Sequence, residues 1–133
     1  MKNYRWLIVA ALLMMVIAGP SDSSAFTGKA DLSWTGPTKF TDGSLLNTAT
    51  DIKEYRLYCG AASGQYATAT AAVISGGAST IYTLNNLGVG TTWCVITAVT
   101  TAALGSQESA WSNEASKAIT APAPGGCSTF QMK

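Results

Sequence analysis

The chain has 133 residues, eight basic and seven acidic side chains, a formal net charge of +1, and no histidine. That length supports one domain with a modest core and is too short for two, while the balanced charge leaves no basic stripe to track phosphates and so excludes nucleic acid as an expected partner. Without histidine, Ser-His-Asp and Cys-His catalytic arrangements and every histidine-containing zinc site are excluded as well.

Residues 1–25 read as an address. Lys2 and Arg5 form a short basic start, and Trp6 to Gly19 is an uncharged apolar run of 14 residues. A membrane-spanning helix needs about 20 apolar residues, so this run suits the core of a secretory signal. Ser23 and Ala25 supply small residues before a cut that leaves Phe26 as the new N terminus, and a cut after Ala18 is the weaker alternative. Retention of the segment as an anchor is the competing reading, and only in that case does the protein meet a membrane. The remaining 108 residues carry six basic and six acidic side chains. Export, to the periplasm, the cell surface or the medium, permits disulfides.

The mature chain alternates short apolar runs with turn signals, the pattern of an antiparallel two-layer fold in which one face is buried and the other meets water. Strands are predicted at about 29–34, 52–59, 66–74, 80–84, 91–100 and 112–119. They are separated by Gly36-Pro37 with Asp42-Gly43, by residues 60–64, by Gly76-Gly77, by residues 85–90 and by residues 105–109. Residues 120–133 form a Pro/Gly linker, Ala121-Pro122-Ala123-Pro124-Gly125-Gly126, and a short tail containing Cys127. Trp34 shares its face with Leu32 and is expected in the core.

These runs resemble a bacterial-type fibronectin type III domain. The resemblance rests on Leu32-Ser33-Trp34-Thr35-Gly36-Pro37, Thr41-Asp42-Gly43-Ser44, Ile52-Lys53-Glu54-Tyr55-Arg56-Leu57-Tyr58, Tyr82-Thr83-Leu84-Asn85-Asn86-Leu87, Gly90-Thr91-Thr92, Val95-Ile96-Thr97-Ala98-Val99 and Glu108-Ser109-Ala110-Trp111-Ser112-Asn113-Glu114-Ala115-Ser116, and it runs from Lys29 to Ile119 within a domain expected over residues 26–119. It implies an all-β, immunoglobulin-like two-sheet sandwich of seven strands and a non-catalytic role in recognition, spacing or attachment. Two departures stand out. Thr92, beside Trp93, occupies the place where the family carries a corner tyrosine, and so little precedes Lys29 that the first strand is short or missing, which leaves an edge open to another chain.

The alignment places Cys59 and Cys94 on antiparallel neighbouring strands. If they oppose each other, Leu57 meets Ile96 and Tyr55 meets Ala98, pairing bulky with small residues on the core face, and the separation suits a disulfide. Two reduced, buried cysteines are the alternative. Cys127 is left over, either to link two copies or a partner, or to remain a free thiol.

Arg56, Tyr58 and Trp93 fall on the opposite face from the cysteines, beside Val95 and Thr97, and form the candidate binding patch for a protein or glycan partner. Ordinary cross-strand pairing is the competing explanation, and the facing of Trp111 is open because a bulge would reverse it. No catalytic residues, cofactor or metal are expected. Asp42, Asn47 and Asp51 offer oxygens for calcium, but the same residues are commoner in turns. The alternative function is a structural subunit of a surface or phage particle assembly, joined through a sheet edge or Cys127.

Overall fold

The computed structural model describes residues 26–125 and 131–132. The expected signal segment and Cys127 lie outside the described residues. Six strands form two antiparallel sheets, which makes the domain an all-β sandwich. They are β1 (Gly28–Ser33), β2 (Ile52–Gly60), β3 (Ala72–Ser75), β4 (Ile81–Leu87), β5 (Gly90–Thr100) and β6 (Ala115–Ile119), with one helical turn, α1 (Thr48–Asp51), before β2. The smaller sheet pairs β1 with β4, and the larger runs in the order β3-β2-β5-β6.

The core follows from alternation corrected by two irregularities. Tyr55, Leu57 and Cys59 share a face of β2, and their partners on β5 are Ala98, Ile96 and Cys94, the expected register. The bond between Cys59 and Cys94 closes that face, with Cα atoms 4.2 Å apart. Ile52 lies three residues before Tyr55, an interval at which strict alternation would turn it outward. A register shift between Ile52 and Glu54 returns it to the interior, so both side chains are buried. A second shift, between Gly28 and Ala30 on β1, is absorbed on β4 near Asn86, whose φ of 60° is left-handed. Leu32, Trp34, Tyr82 and Leu84 from the smaller-sheet side pack on Tyr55, Leu57, Ile74 and Cys94.

Tyr55 is the pivot of this core. Only 1% of it is exposed, the ring of Trp34 meets it edge-on at 5.2 Å, and its hydroxyl donates to the Gly77 carbonyl at 2.9 Å. That bond ties the turn after β3 to the core from β2. Trp34 is only half-buried, although its Nε1 is enclosed and has no acceptor.

Four sequence expectations need correction. First, β4 runs on to Leu87 through residues expected to turn. The strand expected over 66–74 is regular only from Ala72, but its approach still follows the edge of β2 through Ala67 N–H to Cys59 O and Ala71 N–H to Leu57 O. The last strand begins at Ala115 instead of Ser112. The outer face of β5 does not meet water: Val95, Thr97 and Val99 are 4%, 2% and 2% exposed, as enclosed as the core side.

Candidate functional site

The segment 107–114, a stretch that would otherwise be the loop into β6, pairs with the edge of β5 and sends Glu108 over its outer face. It runs beside β5 as an irregular extension of that strand. Thr100 N–H bonds to Gln107 O, and Ser109 N–H and Ser112 N–H donate to Ala98 O and Ile96 O at 2.9 and 3.0 Å. In the other direction, the hydroxyls of Ser109 and Ser112 replace missing carbonyls and accept from Ala98 N–H at 3.0 Å and Ile96 N–H at 3.1 Å. Each hydroxyl then donates to the carbonyl of the residue after it. Backbone groups on β5 thus remain paired where a regular strand is absent, as a covered sheet edge requires.

This run aims two carboxylates. Glu108 lies opposite Val99 and therefore on the outer face. It accepts from Thr97 Oγ1 at 2.6 Å, Tyr58 Oη at 2.7 Å and Arg56 Nη1 at 3.0 Å. Arg56 also reaches Glu54 through Nε and Nη2, each at 2.9 Å. The hydroxyls of Thr97 and Tyr58, followed by the Arg56 charge, hold the Glu108 carboxyl below the ordinary glutamate range. The same contact with Glu108 pushes the Tyr58 hydroxyl up.

Glu114 clamps the far side of the face. It accepts from Ser63 Oγ at 2.7 Å and Gly64 N–H at 2.8 Å, and from the Tyr66 hydroxyl. These partners belong to the connection between β2 and β3, whereas Glu114 precedes β6, so the clamp bridges across β5. The Tyr66 bond, then Gly64 and Ser63, lower the Glu114 carboxyl. Tyr66 also meets Trp111 edge-on, with ring centroids 5.0 Å apart. Trp111 nevertheless remains 59% exposed.

The face therefore gathers Arg56, Tyr58 and Trp93, as their parity requires, but in a different condition from a bare patch. Arg56 and Tyr58 have their polar ends engaged by Glu108. Trp93, opposite Gly60 on one side and Ser116 on the other, is half-buried. The large exposed aromatic beside them is Trp111. Sequence reasoning missed Glu108, Glu114 and Tyr66. For the two acids the signal was present in the dense polar spelling of Glu108-Ser109-Ala110-Trp111-Ser112-Asn113-Glu114, where acids and hydroxyls recur too often for a plain loop; for Tyr66 the sequence offers none.

The oxygens weighed for calcium are occupied by local turn bonds. Asp42 accepts from the N–H and the hydroxyl of Ser44 in the tight hairpin closed by Gly43. Asn47 and Asp51 cap α1 reciprocally: Asn47 Oδ1 accepts from Ala49 N–H, and Asp51 Oδ2 accepts from Asn47 N–H at 2.8 Å. Comparison with known proteins returns no matching family model, curated protein or solved structure.

Proposed function

We propose that the protein is an exported, non-catalytic binding or adhesion module of the fibronectin type III type, which takes a protein or glycan partner on the outer face of its four-stranded sheet. The two-plus-four strand arrangement supports the family reading, with the family's first strand missing among the described residues. The observation that carries the binding reading is Trp111. A tryptophan 59% exposed, braced by Tyr66 and set beside a pre-paired Arg56, Tyr58 and Glu108 cluster, is a rigid amphipathic surface. Such a surface loses little conformational entropy on binding.

The test is binding of the purified exported protein to a glycan array and to envelope proteins from its own cells, with Trp111→Ala and Trp93→Ala compared with wild type. An anchor residue contributes about 1 kcal/mol or more, so at least one variant should bind about fivefold more weakly while its circular dichroism is unchanged. Full binding by both variants would turn the reading toward the alternative, a structural subunit of a surface or phage particle assembly. The observation that favours this alternative is the open outer edge of β1, with Cys127 as a second means of joining.

A further inference from the structure

The smaller sheet has an edge that lies beside a gap. Among the described residues β1 pairs only with β4. β6 of the opposing sheet lies beneath it, and the two strands meet closely in the core, where Ile119 packs against Gly28 and Ala30. Toward their other ends they part around a cavity of about 480 Å³ lined by Lys29, Asp31, Leu32, Cys94, Ala115 and Lys117. Unpaired N–H and C=O groups along such an edge are a template for another strand.

The residues of β1 select the strand that fits. Alternation sends Lys29, Asp31 and Ser33 to the outer face and Ala30 and Leu32 inward. Suppose a second copy of β1 approaches antiparallel about a twofold axis. Directly opposed residues share a face, so the axis must pass through a residue position. With the axis at Lys29 two ammonium groups collide, and with the axis at Asp31 two carboxylates collide. With the axis at Ala30, Lys29 of each copy opposes Asp31 of the other, Gly28 opposes Leu32, and the small Ala30 side chains meet at the centre. Opposite charges across a strand pair stabilise it and like charges destabilise it. A lysine on an edge strand ordinarily discourages pairing, but in this one register it becomes half of a reciprocal ion pair.

We propose that two copies of this chain associate edge to edge through β1, antiparallel with Ala30 on the twofold axis, so that two two-stranded sheets become one of four strands. The surface is distinct from the outer face of the larger sheet, and the two can succeed or fail separately. Strands of six residues bury less than about 1,200 Å² in total, the range of weak interfaces, so the dimer dissociates at micromolar or higher concentration.

The experiment is sedimentation equilibrium of the exported protein carrying Cys127→Ser, which removes any covalent link between copies, over concentrations up to about 0.5 mM, a range that detects millimolar dissociation constants. A reversible monomer–dimer equilibrium is expected. Lys29 is exposed, so Lys29→Asp should leave the monomer folded, and it should weaken the dimer tenfold or more. Asp31→Lys should do the same. The exchange Lys29→Asp with Asp31→Lys should restore affinity to within about threefold of the starting protein, because like-charge opposition is again relieved. A protein that stays monomeric throughout, a dimer indifferent to Lys29→Asp, or an exchange that fails to restore association while circular dichroism shows a folded chain would each overturn the proposal.

Discussion

Replacing both Cys59 and Cys94 by alanine tests how much this domain leans on its one intradomain cross-link. The bond joins residues 35 positions apart. Freeing a loop of that length in the unfolded state costs about 4 kcal/mol on the chain-entropy account. Domains of this size have roughly 5–15 kcal/mol in total. The cysteines also pack in the core, with Cys94 only 7% exposed beside Leu57 and Ile74, but alanine is only slightly smaller, so the entropic part should dominate. A loss of about 4 kcal/mol corresponds to a fall in Tm of roughly 15–30 °C for a domain of about 100 residues. Urea unfolding followed by tryptophan fluorescence would measure it, with the oxidised wild type as reference. The m value should rise as well, because an unlinked unfolded chain exposes more surface. A loss below about 1 kcal/mol with an unchanged m value would refute the reasoning, since the unfolded chain would then already be confined without the bond.

Stability should fall on the acid side with a recognisable origin. Glu108 has its carboxyl lowered from an ordinary value of 4.5, first by Thr97 and then by Tyr58. Its contribution is therefore present above that value and lost as pH falls through the lower folded one. Glu108→Gln should flatten the pH dependence of unfolding between about pH 5 and 3, and an undiminished slope would remove Glu108 as its cause. Gly77→Ala should cost more than about 3 kcal/mol, or prevent folding, because a Cβ there would sit 1.6 Å from the Thr48 carbonyl oxygen and 2.8 Å from Ile52 Cβ. Gly88→Ala, where nothing lies within 4 Å, should change thermal stability by less than about 0.5 kcal/mol, and equal effects at the two sites would discredit the close approach at Gly77. Trp34→Ala should cost about 3 kcal/mol by emptying the space against Tyr55, and Trp93→Ala clearly less. Equal losses in denaturant titration would place Trp93 in the core.

Much of the larger sheet was legible because its central strands obey period two over long stretches. From Tyr55 to Cys59 and from Cys94 to Ala98 the alternation is unbroken, so one assumed contact between cysteines fixed every other pair. Legibility stopped where the backbone leaves that period. The shift after Ile52 and the left-handed Asn86 are properties of paired strands, visible only once both partners are in place. The outer face was misjudged for a related reason. Residues alternating with core residues were expected to be wet, yet Thr97 is capped by the side chain of Glu108, which pairs opposite Val99 from about ten residues further along, and alternation within a strand says nothing about what later folds over it.

The segment from Glu108 to Glu114 shows why the candidate site and the fold are one structure. A regular strand would have satisfied β5 through carbonyls and kept 108–114 along its edge, whereas the irregular run takes one carboxylate to Thr97 and Tyr58 and the other to the loop at Gly64. Hydroxyls at Ser109 and Ser112 substitute for the carbonyls. That substitution lets the backbone depart from a strand while β5 stays paired, and the departure brings Glu108 over Thr97 and Glu114 to the loop at Gly64. Trp111 lies between the two acids in sequence and braces on Tyr66, whose hydroxyl Glu114 accepts. The segment that carries the exposed aromatic is thus fixed at Glu108 and at Glu114 by bonds that also hold the sheet together. A substitution that frees Trp111 by removing Glu114 should loosen the β2–β3 connection with it, so position and stability are expected to fall together at this face, whereas at the β1 edge, where Lys29 and Asp31 are exposed and Asp31 gives up only a surface bond from Thr83, association can change without the fold.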